Sequence, residues 1–141
     1  VAAKTYELTQ FLVDVLGRTD IGSRLDANVV CHDSCHGLRN LGIKAQPRVL
    51  VASTGAEMVE LEEPESCCGF GGAFSVTQTA VSTELADRKL QDAKKSGADY
   101  VVACDSSCLL HLEGRQRRLG QDGPKLLHIA ELLAAGLPDD K

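Results

Sequence analysis

"ANVVCHD", residues 27–33, decides the fold. A short apolar run with polar flanks reads as a buried β-strand, and the segments around it show which kind of sheet it joins. Upstream, Leu8, Phe11, Leu12, Val15 and Leu16 follow the spacing of one helical face, with Gly17 placed as a C-cap. Downstream, "GLRNLGIKAQPRVLVAST" (37–54) is mostly helical, with breaks expected near Gly42 and Pro47. "EMVELEE" (57–63) is a second strand. A long helix follows inside residues 75–96, supported by the pair Glu84 and Arg88 and stopped at Gly97 after Lys94 and Lys95. "ADYVVACD" (98–105) is the third strand, Ser106 to Leu119 a helix, and "KLLH" (125–128) a fourth strand. Ile129, Leu132 and Leu133 mark a last helix closed by Gly136 and Pro138. Strands that alternate with helices are joined by right-handed crossovers, and these build a parallel sheet. The expectation is α/β: a single Rossmann-like doubly wound domain over 1–141 with a mainly parallel sheet of about four strands.

Charge narrows the partners. A net charge of −5 and a pI near 5.3 argue against nucleic acid, whose binders draw affinity from Lys and Arg. The basic run Arg115, Arg117 and Arg118 reads instead as a helix end, where cations are favoured. No apolar run approaches the ~20 residues that span a bilayer, so no direct membrane insertion is expected. The chain opens on Val1 and enters a helical pattern almost at once, which reads as a piece of a longer protein.

The chemistry lies in six cysteines: Cys31, Cys35, Cys67, Cys68, Cys104 and Cys108. A domain of this size buries enough core without disulfides, and a bridge between the adjacent Cys67 and Cys68 would close a strained ring. Each pair falls at or just after the C-terminal end of a predicted strand. In an open parallel sheet those ends share one edge, where ligands bind. Two metal chemistries compete for such thiols. Zinc takes cysteine pairs two to four residues apart, a spacing that Cys67 and Cys68 do not offer. Neighbouring thiolates can bind different irons of one iron-sulfur cluster, and in "PESCCGFGGAF" (64–74) Gly69, Gly71 and Gly72 would let backbone N–H groups approach its sulfurs. Cys35 and Cys108 sit near helix N-termini, which favour thiolate. A zinc clamp made by Cys31, His32, Cys35 and His36 of "CHDSCH" stays open as the alternative. The plainer reading gives His32 and His36 hydrogen bonds near the sheet edge and leaves His111 and His128 as helix or core residues. "GFGGAF" is only a weak match to a dinucleotide loop.

"CHDSCHGLRNLGI", "CCGFGGAFSV", "DSSCLLHLEGR" and "KLLHIAELL" together resemble the second cysteine-rich CCG domain of a family of iron-sulfur oxidoreductases, with branches in lactate utilization, glycolate oxidation and heterodisulfide reduction. The resemblance covers nearly the whole chain. The family pattern is one cysteine, a gap of a little over thirty residues, Cys-Cys-Gly, a gap of about thirty-five, and a close cysteine pair. Here 31 residues separate Cys35 from Cys67 and 35 separate Cys68 from Cys104. By position, the resemblance implies Cys35, Cys67, Cys68, Cys104 and Cys108 as ligands of a four-iron cluster. The last pair is C-x3-C where the heterodisulfide branch has C-x2-C, so Cys108 is the firmer correspondence, and Cys31 falls outside the pattern.

The motif surroundings are closer to the lactate utilization branch. The resemblance implies the C-terminal part of a tandem-domain, cytoplasmic subunit that passes electrons during oxidation of a small 2-hydroxy acid such as lactate or glycolate. Its partners would be a flavin or further iron-sulfur subunit and a small-molecule substrate or electron acceptor. The other readings are a zinc-stabilised assembly domain of a redox complex and a cluster-based disulfide reductase subunit.

Overall fold

A computed structural model describes residues 4–138. Four strands, β1 (Asn28–Cys31), β2 (Glu57–Met58), β3 (Tyr100–Ala103) and β4 (Lys125–His128), form one parallel sheet in the order β2-β1-β3-β4. The register pairs Val29 with Met58 on one side and Cys31 with Val102 on the other. The chain leaves β1 for β2 in one direction and then crosses back over β1 to reach β3. The winding therefore reverses between β1 and β3, and this switch point opens a crevice at the C-terminal edge.

Side-chain alternation assigns each strand residue a face. Val29, Cys31 and Val102 turn toward α3 (Ala45–Ser53) and α7 (Ile129–Ala135), where Leu50, Val51, Ile129, Leu132 and Leu133 complete the larger core. Val30 and Val101 turn to the other face, against Ala93 of α5 (Thr79–Lys95). On that same side Ala86 and Leu90 of α5 meet Leu112 of α6 (Ser106–Leu119). The doubly wound α/β expectation holds, with all four strands parallel.

Four local details differ from the sequence reading. Pro47 does not break its helix: it is the third residue of α3, inside the first turn, where its missing N–H is no loss. The second strand is two residues long, with one further bond from Val59 N–H to the Val29 carbonyl, because the chain then peels away to carry the Cys-Cys loop. The long helix is interrupted at Gln78 (φ −122°, ψ 47°), which separates α4 (Ala73–Thr77) from α5. Finally, α1 (Leu8–Gln10) passes into a π-helical turn, Phe11–Val15, with the Leu16 N–H bonded to the Phe11 carbonyl. The wider turn brings Leu12 and Val13 onto the core and leaves Leu8, Phe11, Val15 and Leu16 exposed.

Candidate metal centre

"HDSC" does four different jobs at the end of β1. The His32 N–H donates to the Val102 carbonyl (2.8 Å) and extends the ladder by one residue, so its ring shares the Val30 face. Asp33 falls on the opposite parity, where Arg48 of α3 grips both carboxylate oxygens (2.8 and 3.0 Å) and also Glu60 (3.1 and 3.3 Å). That hydrogen bonding holds the Arg48 pKa above its ordinary value despite partial burial. Ser34 caps α2 (Cys35–Leu41) by accepting the Gly37 N–H at 3.1 Å. Cys35 is thereby the first residue of α2, and exposed.

The Cys-Cys loop is fastened along α5. Asp92 accepts the N–H groups of Glu62 (2.9 Å) and Glu63 (3.0 Å), and Lys89 donates to the carbonyls of Glu63 and Pro64. Lys89 is 1% exposed, and burial lowers its pKa against the pull of Asp92 and Glu63. Ser82 donates to the Gly69 carbonyl at 2.7 Å and is itself 3.2 Å from His111 Nε2. Gly69 has φ +91°, and a Cβ there would run into the Ser82 carbonyl oxygen, so this position needs glycine on two counts. Gly71 and Gly72 also have positive φ and turn the chain into α4. The Gly69 N–H donates to Cys67 Sγ at 3.3 Å.

Three of the chain's potential metal donors meet in the crevice. Cys68 Sγ and Cys108 Sγ are 3.0 Å apart, both buried, and a ring nitrogen of His32 joins them with all three atoms within 4.8 Å of one another. The hydrogen bond between the two sulfurs pulls Cys68 well below the usual thiol range against the effect of burial; His32 and the Phe70 N–H act the same way. Cys108 is driven up by the same bond and by burial. Of the two sulfurs, Cys68 is therefore the one biased toward thiolate.

Cys35 lies close enough to add to the upward push on Cys108, while Cys67 is exposed on the adjoining loop. Cys31 and Cys104 occupy the other face of the sheet with Val29 and Val102, and burial pushes each thiol up to about 12. Cys104 faces Thr9 and Glu7 of the N-terminal segment. The "CHDSCH" run accordingly does not gather as a clamp: Cys31 and His32 point to opposite faces, and His36 is exposed and bonded to Asn40 at 2.9 Å. His32 is the residue that the motif reading left as a hydrogen-bonding neighbour. The signal for it lay in parity, since residues 30 and 32 share a face that 31 and 33 do not. His128 caps α7, and its Nε2 lies 3.2 Å from the Cys104 carbonyl. Among the described residues no helix is long and apolar enough to cross a membrane.

Buried sulfurs at the switch point of a doubly wound sheet define a cysteine-rich α/β domain with a donor set of the kind that can hold a metal ion. The cysteine-rich domain family CCG matches residues 29–113, and the chain belongs to that family. It is 46% identical over 134 residues to lactate utilization protein A of Bacillus cytotoxicus and 47% identical over 134 residues to lactate utilization protein A 2 of Bacillus mycoides. Lactate utilization protein A 1 of Bacillus cereus is 46% identical over the same length. Each alignment covers 94% of this chain but 56% of the relative, so the chain spans little more than half the length of these proteins.

Proposed function

We propose that this domain holds an iron-sulfur cluster on Cys35, Cys67, Cys68 and Cys108 and serves a subunit that passes electrons during oxidation of a small 2-hydroxy acid such as lactate. The observation that carries the reading is the sulfur pair of Cys68 and Cys108, both buried and 3.0 Å apart at the switch-point crevice. The donor set fits such a group. Cys68 and Cys108 offer two buried sulfurs, Cys35 and Cys67 two exposed ones on neighbouring segments, and glycine backbone in the Cys-Cys loop supplies an N–H to sulfur. When bound, a cluster of this type supplies one-electron transfer. The chain's own residues do the positioning: Arg48 and Asp33 fix the start of α2, while Lys89, Asp92 and Ser82 fix the loop that bears Cys67 and Cys68. The names of the relatives support lactate as substrate of the parent protein. A tandem second domain, a flavin or iron-sulfur partner subunit and a cytoplasmic setting belong to the same proposal.

A second reading has its own support. His32, Cys68 and Cys108 form a compact three-donor group of the kind that holds a single zinc ion. Metal and acid-labile sulfide analysis of anaerobically isolated full-length protein decides between them. Iron with sulfide is the expected result; one tightly held zinc without sulfide would refute the cluster.

A further inference from the structure

His32 is 4% exposed, and neither ring nitrogen makes a hydrogen bond of full geometry; the side chain it acts on is Cys68. A buried polar atom left so is costly, and a side chain in this state needs a reason. The backbone gives the ring no freedom to escape. The His32 N–H is tied to the Val102 carbonyl, and its neighbour Asp33 is clamped by Arg48 on the far side of the sheet. The ring is therefore directed at Cys68 and Cys108, with a nitrogen within 4.8 Å of each sulfur. Zinc- and iron-type ions bind sulfur at about 2.3 Å and imidazole nitrogen at about 2.0–2.1 Å, so donors on one ion lie roughly 3–4 Å apart. The three atoms need only small side-chain adjustments to meet that spacing.

We infer that His32 is a metal ligand, its imidazole nitrogen joining the sulfurs of Cys68 and Cys108 in the donor set of the centre. The inference rests on the reading that these thiols hold iron, and it deepens that reading by making the ligand set mixed. A neutral imidazole in place of an anionic thiolate leaves more net positive charge on the centre and raises its reduction potential. Burial of the ring keeps water from competing for the same position.

The test uses full-length protein isolated anaerobically, with iron and sulfide assayed first and histidine nitrogens then labelled with 15N for pulsed electron paramagnetic resonance. The expected result is a nitrogen coupling of directly bound imidazole that changes with the isotope, disappears in His32→Ala and persists in His36→Ala. His32→Cys should retain iron but move the midpoint potential to more negative values. The wild-type measurement needs no variant to fold. Full iron and sulfide with only the weak coupling of a hydrogen-bonded nitrogen would overturn the inference and leave the cluster standing. So would a His32→Ala centre with unchanged spectrum and potential. Wild-type protein without iron and sulfide would defeat the cluster and the ligand together.

Discussion

Replacing Gly69 by alanine tests how the Cys-Cys loop is seated. At φ +91° an L-residue is strained by about 1–3 kcal/mol. The new methyl would also lie well inside 3.0 Å of the Ser82 carbonyl oxygen, a helix backbone atom with no freedom to rotate aside. To restore an ordinary contact, the loop has to retreat by roughly 1 Å, whereas metal-ligand distances are held within about 0.2 Å. The retreat carries Cys68 with it and breaks the bond from Ser82 to the Gly69 carbonyl. Gly69→Ala is thus expected to lose about 2–4 kcal/mol of stability, from strain plus one buried hydrogen bond, and most of its iron. Urea unfolding of the metal-free chain gives the first number, and iron content per folded protein gives the second. A variant within 0.5 kcal/mol of the parent that still binds a full complement of iron would show that the loop is not seated on α5 as described.

Three further outcomes follow from the same geometry. Serine at Cys35, Cys67, Cys68 or Cys108 should remove most of the iron, while serine at Cys31 or Cys104 should leave iron content unchanged; iron and sulfide assays on the six variants check this. Lys89→Met takes away the donor that holds the Glu63 and Pro64 carbonyls, and metal affinity should fall by about 10–100-fold, read by competition with a chelator. Arg115→Met should lower stability measurably at pH 7, because Arg115 grips both oxygens of Asp87 at 2.7 and 2.8 Å. Arg115 holds the Asp87 pKa below its ordinary 3.8, so the contribution is fully present above that value. It is lost as acid protonates Asp87, and chemical denaturation at several pH values should show the difference between parent and variant shrinking there.

The helices and strands were legible because local pattern and fold agree. The helix from Ser106 to Leu119 is bounded by Asp105 as N-cap and Gly120 in the left-handed region, both visible as residue types. Two things were hidden. Pro47 looked like a break because sequence alone does not fix which turn it occupies, and the first turn tolerates it. The division of the thiols was hidden by treating loops as shapeless. The alternation of β1 and β3 runs through their last paired residues and beyond, so Cys31 and Cys104 share one face, while His32 takes the other and meets Cys108, delivered there by α6. Counting gaps between cysteines carries no information about that parity, which is why the spacing keeps Cys104 in the ligand set even though it makes Cys108 the firmer correspondence.

The sheet between those faces also sorts the cysteines by reactivity. Cys35 and Cys67 are open to an alkylating reagent in the folded chain. Cys68 and Cys108 are buried at the crevice, where a bound metal would shield them. Cys31 and Cys104 lie behind the strands, held as thiols by burial and slow to react until the strands separate. Thiol labelling followed over time therefore separates events that other probes merge: two sulfurs report the open surface, two report departure of the metal, and the last two report unfolding itself.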